Sequence, residues 1–295
     1  MTEAEFLERM EAADQELARK DLPIHQRSLH AFLLMAPGYD GPIMTSPEKA
    51  AAFPPFVGPK LLASINDWYE RRYGKARMTM PTIGRIPLEI RGQIFLAAIP
   101  VVYGSPRLTL RDIFSRIEHF TPDMAASLTE VEQMSLAQRW LRGYELMYEM
   151  EDLRGGRLQG GPPLFASALL DRDAAVRALD QHHPDLANAS FHAQQLAEKA
   201  LKAYLVARAG LTEKKLKDIG HKLEDLATRC EEESPDFVTL RPDIALLKTV
   251  TMDVRYTPPT MRPQEAAEMI WAALRVAGLA ACKILDRERR FTAAP

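Results

Sequence analysis

From residue 164 to residue 286 one pattern repeats: apolar residues recur at helical spacing and proline or glycine interrupts them. The pattern predicts helices over 164–182, 185–209, 220–233, 241–254 and 263–286. Pro184, Gly210, Pro235 and the Pro258–Pro259 pair mark the breaks. Pro242 and Pro263 suit first helical turns, where no backbone N–H is needed. Connections this short join antiparallel neighbours, so the region reads as an up-and-down helical bundle. Within it, SFHAQQLAEKALKAYLVARAG (190–210) is amphipathic, with a wide face of alanines, Leu196, Leu201 and Tyr204 suited to close packing. Gln195, Lys199 and Lys202 fall opposite, and Gln194 and Glu198 fall on the border. Glu198 precedes Lys202 by one turn, the favourable order for a surface pair. Phe191 breaks the pattern by pointing to the polar side. Periodicity accounts for the alanines but not for Phe191 or the adjacent glutamines.

A second constraint is RGGRLQGGPP at 154–163, with four glycines and two prolines in ten residues. Such a stretch cannot continue a helix, so it reads as a linker between two domains. Upstream, residues 1–153 read as a mostly helical N-terminal domain. Helices are expected over 3–20, 23–35 and 60–73, with a short one after Thr109. A long one starts at Thr129 with Glu132 in capping-box spacing and ends near Leu153. Between Met78 and Tyr103 the chain is rich in isoleucine and valine around Gly92, which suggests a small β-hairpin. Pro87 and Pro100 restrict its strands to edges or ends. The fold class is therefore mainly α: a helical bundle over 164–286 after a mostly helical domain with a small hairpin, and a tail over 287–295.

The 295 residues are 46% hydrophobic and 26% charged, which describes a globular protein with a real core. A formal charge of −2 excludes a globally basic nucleic-acid binder while leaving room for a local basic patch. The two cysteines, Cys230 and Cys282, sit in helical contexts and are too few for a disulfide framework or zinc site. The acidic, amphipathic N-terminus lacks the pattern of a secretory signal, and no apolar run reaches the roughly 20 residues of a membrane span. A cytoplasmic protein that does not engage membranes is expected.

Three stretches, FHAQQLAEKALKAYL (191–205), GHKLEDL (220–226) and VRYTP (254–258), occur in an order and spacing that resemble the signatures of the HEPN family. The resemblance covers about 165–286 and nothing upstream, where no nucleotidyltransferase signature occurs. It implies a helical bundle that pairs as a homodimer, a prokaryotic source, and a toxin–antitoxin setting with a nucleotidyltransferase-like antitoxin as partner. Dimerisation would give Phe191, Gln194 and Gln195 something to face. Ribonuclease members of the superfamily use an Arg followed after four to six residues by a His. Arg255 is the natural Arg, but no histidine follows it anywhere in the chain. Arg177 with His182 or His183, and Arg19 with His25, match the spacing away from the motif's position and are read as accidental.

Several residues remain candidates for ligand binding. Arg255 can bind phosphate in bidentate fashion or cap its helix. Tyr256 adjoins it and Arg262 can extend the same patch. His221 either contacts an anion near a helix start or, as the structural alternative, bonds a backbone carbonyl and orients its loop. Lys199 and Lys202 add positive charge. Upstream, Trp68, Arg71, Arg72, Tyr73, Lys75 and Arg77 interleave aromatic rings with charge, as single-stranded nucleic acid binding requires. A helix end with its aromatics turned inward is the competing explanation. His182 and His183 lack a partner cluster for a metal. No catalytic residue, metal or cofactor is expected. The leading expectation is a non-catalytic, dimeric nucleotide- or RNA-binding module. The alternatives are a metal-independent, toxin-like ribonuclease and a purely structural interaction module.

Overall fold

The computed structural model describes residues 1–43, 45, 47–78, 82–102, 108–154, 163–180, 183–250 and 261–286. The chain is mainly α-helical with one two-stranded antiparallel hairpin. It divides into two compact units, between residues 81 and 82.

The first unit holds α1 (Glu3–Arg19), α2 (Ile24–Met35), α3 (Pro47–Ala51), α4 (Pro59–Tyr73) and α5 (Lys75–Met78). A capping box starts α1: the Thr2 hydroxyl accepts the Glu5 N–H and the Glu5 carboxylate accepts the Thr2 N–H. Phe6, Met10, Ala13 and Leu17 recur on one face of α1 and are buried. With Ala31, Phe32 and Met35 of α2 and Leu61, Ile65, Trp68 and Tyr69 of α4 they form a separate small core. Asp14 lies inside it, bonded to Arg27 at 3.0 Å and to the Tyr73 hydroxyl.

The second unit opens with β1 (Thr82–Ile90) and β2 (Gln93–Pro100). Arg91 and Gly92, at φ 49° and 81°, make the two-residue turn. Both central residues of such a turn need positive φ, which explains the glycine. Arg91 tolerates the position while its guanidinium grips the Glu132 carboxylate at 2.9 and 3.0 Å. Then come α6 (Leu110–Phe114), α7 (Pro122–Ser127) and α8 (Glu130–Arg154). Thr129 and Glu132 form the expected capping box at the start of α8.

The bundle proper consists of α9 (Pro163–Leu179), α10 (Leu186–Ala209), α11 (Glu213–Ile219), α12 (Leu223–Glu233), α13 (Arg241–Leu247), preceded by a 3-10 turn at Pro235–Leu240, and α14 (Pro263–Ile284). Apolar nearly all round, α14 is buried along its length, as a central helix must be. Pro242 and Pro263 do occupy first turns. The helix expected over 220–233 starts only at Leu223. Thr212 caps the additional α11 before it, its hydroxyl accepting the Lys215 N–H. The helix expected from 241 ends at Leu247.

The division at 81/82 differs from the expected one at 154–163, most of which lies outside the described residues. Packing explains the difference. Trp140, Leu146, Met147 and Met150 of α8 share one core with α9, α10 and α14. The Trp271 indole of α14 donates to the Pro87 carbonyl of β1 at 2.8 Å. Gly143 lets Ile86 and Trp271 approach α8, where a Cβ would stand only 2.3 Å from Ile86 Cδ1. The hairpin and α8 are thus part of the bundle's core rather than of an N-terminal domain.

Candidate functional site

The site grows from one stripe of α10. Asp185 caps this helix by accepting the Asn188 N–H at 3.0 Å, and Gly210 ends it in the left-handed region. Along the alanine-rich barrel, Ser190, Gln194 and Glu198 follow at intervals of four residues, and all three are buried. Each holds a different part of the chain. The Ser190 hydroxyl contacts Met261 Sδ at 3.0 Å, and Gln194 Nε2 donates to the Val250 carbonyl at 2.9 Å. Glu198 Oε1 accepts from His221 Nδ1 at 2.9 Å and from Lys202 Nζ at 2.8 Å.

Glu198 is 3% exposed, whereas the His221 ring is 67% exposed. An ionised carboxylate only accepts, so Nδ1 must carry the proton. Nε2 is then left as the outward nitrogen, with no partner among the described residues. The sequence offered an anion contact or a backbone-bonded loop anchor; the observed partner is instead a buried side chain. His221 lies in the turn between α11 and α12 rather than in a helix.

A second group of the same composition lies beside the first. Asp171 of α9 accepts from His192 Nδ1 at 2.9 Å and from Lys199 Nζ at 2.5 Å, and Lys199 also donates to Ser167 Oγ at 3.0 Å. Burial alone would raise the Asp171 carboxyl, but the hydrogen bonds from His192 and Lys199 outweigh it and hold it below the usual carboxylate range. Lys199 and Lys202, read as candidates for ligand binding, are each paired with a carboxylate of their own chain, Lys202 with Glu198 as the spacing suggested.

The remaining candidates scatter. Arg255 and Tyr256 lie outside the described residues, but the residues flanking that stretch, Val250 and Met261, are both held by α10. Arg262 is exposed and grips Glu265 at 3.0 Å in the first turn of α14. Phe191 is half-buried, edge-on to the His192 ring at 5.4 Å. Gln194 faces inward, which removes it from any contact between copies, while Gln195 is half-buried beside Glu198.

In the first unit the aromatics of the expected nucleic-acid surface turn inward. Trp68 is buried, and Tyr73 bonds Asp14. Arg72 lies 4.9 Å over the Trp68 ring and pairs with Glu11. Arg71, Lys75 and Arg77 are exposed. In the second unit, Arg85 pairs with Glu118 and Asp180, and Arg91 with Glu132. Both cysteines are buried and unbridged, and burial pushes the Cys230 thiol well above its ordinary range, which makes it inert. Among the described residues no three histidine, cysteine or acidic side chains gather to hold a metal, and no helix is long and apolar enough to cross a membrane.

Three separate stretches thus meet on one helix, and a family comparison names what they share. Residues 164–283 match the HEPN domain. The match ends upstream at the start of α9, so the hairpin and α8 share a core with the matched helices from outside the matched region. Comparisons with curated proteins and with solved structures each found no match. Two of the stretches that resemble HEPN signatures meet at α10: the F-x-x-Q-Q-x-x-E-K run supplies Gln194 and Glu198, and the G-H-x-L piece supplies His221. Spacing held a signal for this stripe. Polar residues at 190, 194, 198 and 202 amid alanines mark a ridge that a helix has reason to bury only if each finds a partner.

Proposed function

We propose that this chain is a non-catalytic HEPN-type protein that binds a nucleotide or a short RNA. It acts as a homodimer in the cytoplasm of a prokaryote, in a toxin–antitoxin-like setting with a partner such as a nucleotidyltransferase-like protein. The observation that carries the reading is the convergence on α10. Gln194 holds the residue that leads into the Arg255 segment, and Glu198, one turn further on, presents the exposed ring of His221. Arg255 supplies a guanidinium suited to phosphate, and His221 presents a fixed imidazole. The lysines nearby are already neutralised, which fits a small ligand better than tight, general nucleic-acid binding. Catalysis of RNA cleavage needs a base for the 2′-hydroxyl proton, and no histidine follows Arg255 to supply it.

Calorimetry against ATP, GTP and short oligoribonucleotides tests the reading, with wild type and Arg255→Ala compared. Binding that falls at least tenfold in the variant is expected, together with no cleavage of RNA by metal-free protein. Turnover that survives purification and disappears in Arg255→Ala would overturn the non-catalytic reading. The dimer is tested by light scattering. Phe191→Glu should shift the protein to monomer with its helical circular dichroism unchanged, and an unchanged dimer would place the interface elsewhere.

A further inference from the structure

We infer that a second copy of this chain docks antiparallel on the outer face of α8, so that the protein associates with itself through a helix outside the HEPN match. The inference goes beyond the homodimer read at Phe191 and does not depend on that contact. One face of α8 is already engaged: Leu136, Trp140, Met147 and Met150 are buried in the core. On the opposite face, Val131, Met134 and Leu141 are 79%, 47% and 39% exposed. Gln138 lies between them, also exposed, and the half-buried Glu145 follows. These five positions are spaced three, four, three and four residues apart, along about 21 Å of helix. A scattered surface leucine carries no message, but this alternation does. It is the spacing that keeps one seam of a helix against another helix, and here the seam faces away from the chain's own core.

Two features fit the seam to a copy of itself. The first is its symmetry about Gln138. An antiparallel two-fold axis at that residue sets Met134 of one copy against Leu141 of the other and brings the two Gln138 amides together. An amide holds both donors and an acceptor, so two copies satisfy each other across the axis. One polar residue in an apolar seam fixes register and orientation. The second feature is charge. Val131 would lie against the stems of Arg142 and Glu145 of the other copy, which already pair with each other at 3.0 Å, so no lone charge is covered. Glu130, in the first turn of α8, approaches Arg142 of the other copy, whereas parallel pairing would set Glu130 beside its own duplicate. A few turns of helix fall short of the roughly 800 Å² per side of a standard interface, so the association is weak and depends on concentration.

Sedimentation of the full chain over a rising concentration series tests the contact. Whichever species prevails in dilute solution, its mass should double as concentration rises. The rise should vanish when Met134→Glu and Leu141→Glu are combined, with helical circular dichroism unchanged. Both positions are exposed, so the double variant should fold. Disulfide trapping reads the register. Gln138→Cys should give an interchain disulfide on mild oxidation, because the axis brings both copies of residue 138 together. Met134→Cys should not, because its two copies lie about 12 Å apart along the helices, beyond disulfide reach. Cys230 and Cys282 are buried and leave the background clear. A wild-type mass that stays constant, or one that rises equally in the double variant, overturns the inference. Trapping of Met134→Cys as readily as Gln138→Cys also overturns it, since that marks random or parallel contact. Phe191→Glu separates the two self-contacts. A doubling that survives Phe191→Glu supports the α8 contact, and one that is lost in Phe191→Glu but kept in the double variant overturns it.

Discussion

Asp14 in the first unit and Glu198 in the second are both buried carboxylates, yet they are partnered in different ways. Asp14 is held by Arg27 and Tyr73 at the edge of one small core, with the exposed Arg72 at 4.0 Å. Arg27 is itself nearly buried and also donates to the Leu22 carbonyl at 2.7 Å. Every one of these groups is engaged within the first unit, Arg72 also by Glu11, so the network's work is to fix how α1, α2 and α4 meet. Glu198 instead joins a lysine as covered as Arg27 to a histidine ring that is mostly outside. Order in the core is passed outward to a group that has bonding capacity left. A closed network specifies a fold, while an open one can specify a surface for something else.

The largest test of that comparison removes the material that supports the open network. A fragment beginning at Thr82 should keep one cooperative thermal transition, whereas one beginning at Leu164 should not. The shorter fragment loses Trp140, Leu146, Met147 and Met150, buried side chains of the core that α8 shares with the bundle. Each such side chain contributes about 1.5–3 kcal/mol. Losing four of them rivals the whole stability of an ordinary domain, about 5–15 kcal/mol. A cooperative transition in the 164–295 fragment would show that the matched region is self-sufficient after all.

Next in size is Asp14→Ala, which leaves the Arg27 charge nearly buried without its carboxylate. Breaking a buried pair in this way costs about 3–5 kcal/mol. Hydrogen exchange on the full chain should show that loss in residues 1–81, with residues 82–295 protected as before. Uniform loss across both units would mean that they do not unfold separately.

Glu198→Ala should cost less, about 1–2 kcal/mol, because His221 can turn to water and the long Lys202 stem can carry its charge toward the surface. Only Lys202 is as covered as Arg27, while His221 is mostly exposed. A stability loss as large as that of Asp14→Ala would show that Glu198 is a core-specifying group like its counterpart.

Much of this was legible beforehand, and the reasons differ by element. Helix spacing exposed α10 and α14, and Thr129 with Glu132 announced the start of α8, because caps and periodicity are local. The hairpin followed from isoleucine-rich strands around Gly92 for the same reason. The division of the chain was not legible, since RGGRLQGGPP breaks the backbone pattern without breaking the core that α8 shares with α14. Gln194 and Glu198 were misjudged because residues four apart drift about 40° per step around a helix. A wheel therefore sets them on the border, while the partners that bury them, Val250 and His221, come from far along the chain. His221 itself was noticed, but nothing near it in sequence reveals a carboxylate 23 residues upstream.

The smallest expected effect concerns the second carboxylate of the open face. Asp171 is held below its ordinary range because His192 and Lys199 bond its ionised form more strongly than burial penalises it. A carboxyl whose folded pKa lies below its unfolded value stabilises the fold above the unfolded value, near 3.9, and loses that contribution as pH falls through the folded one. The chain should therefore weaken modestly below about pH 4, and Lys199→Met should remove part of that dependence. Carboxyl-carbon NMR would follow the group directly. The Asp171 resonance should titrate below the usual aspartate range in wild type and move upward in Lys199→Met, since one of its two donors is gone. His192 would remain at 2.9 Å to hold part of the depression. A resonance that titrates in the ordinary range in wild type would mean that the pairing at Asp171 is loose in solution. The α10 face would then be fixed on its Glu198 side alone.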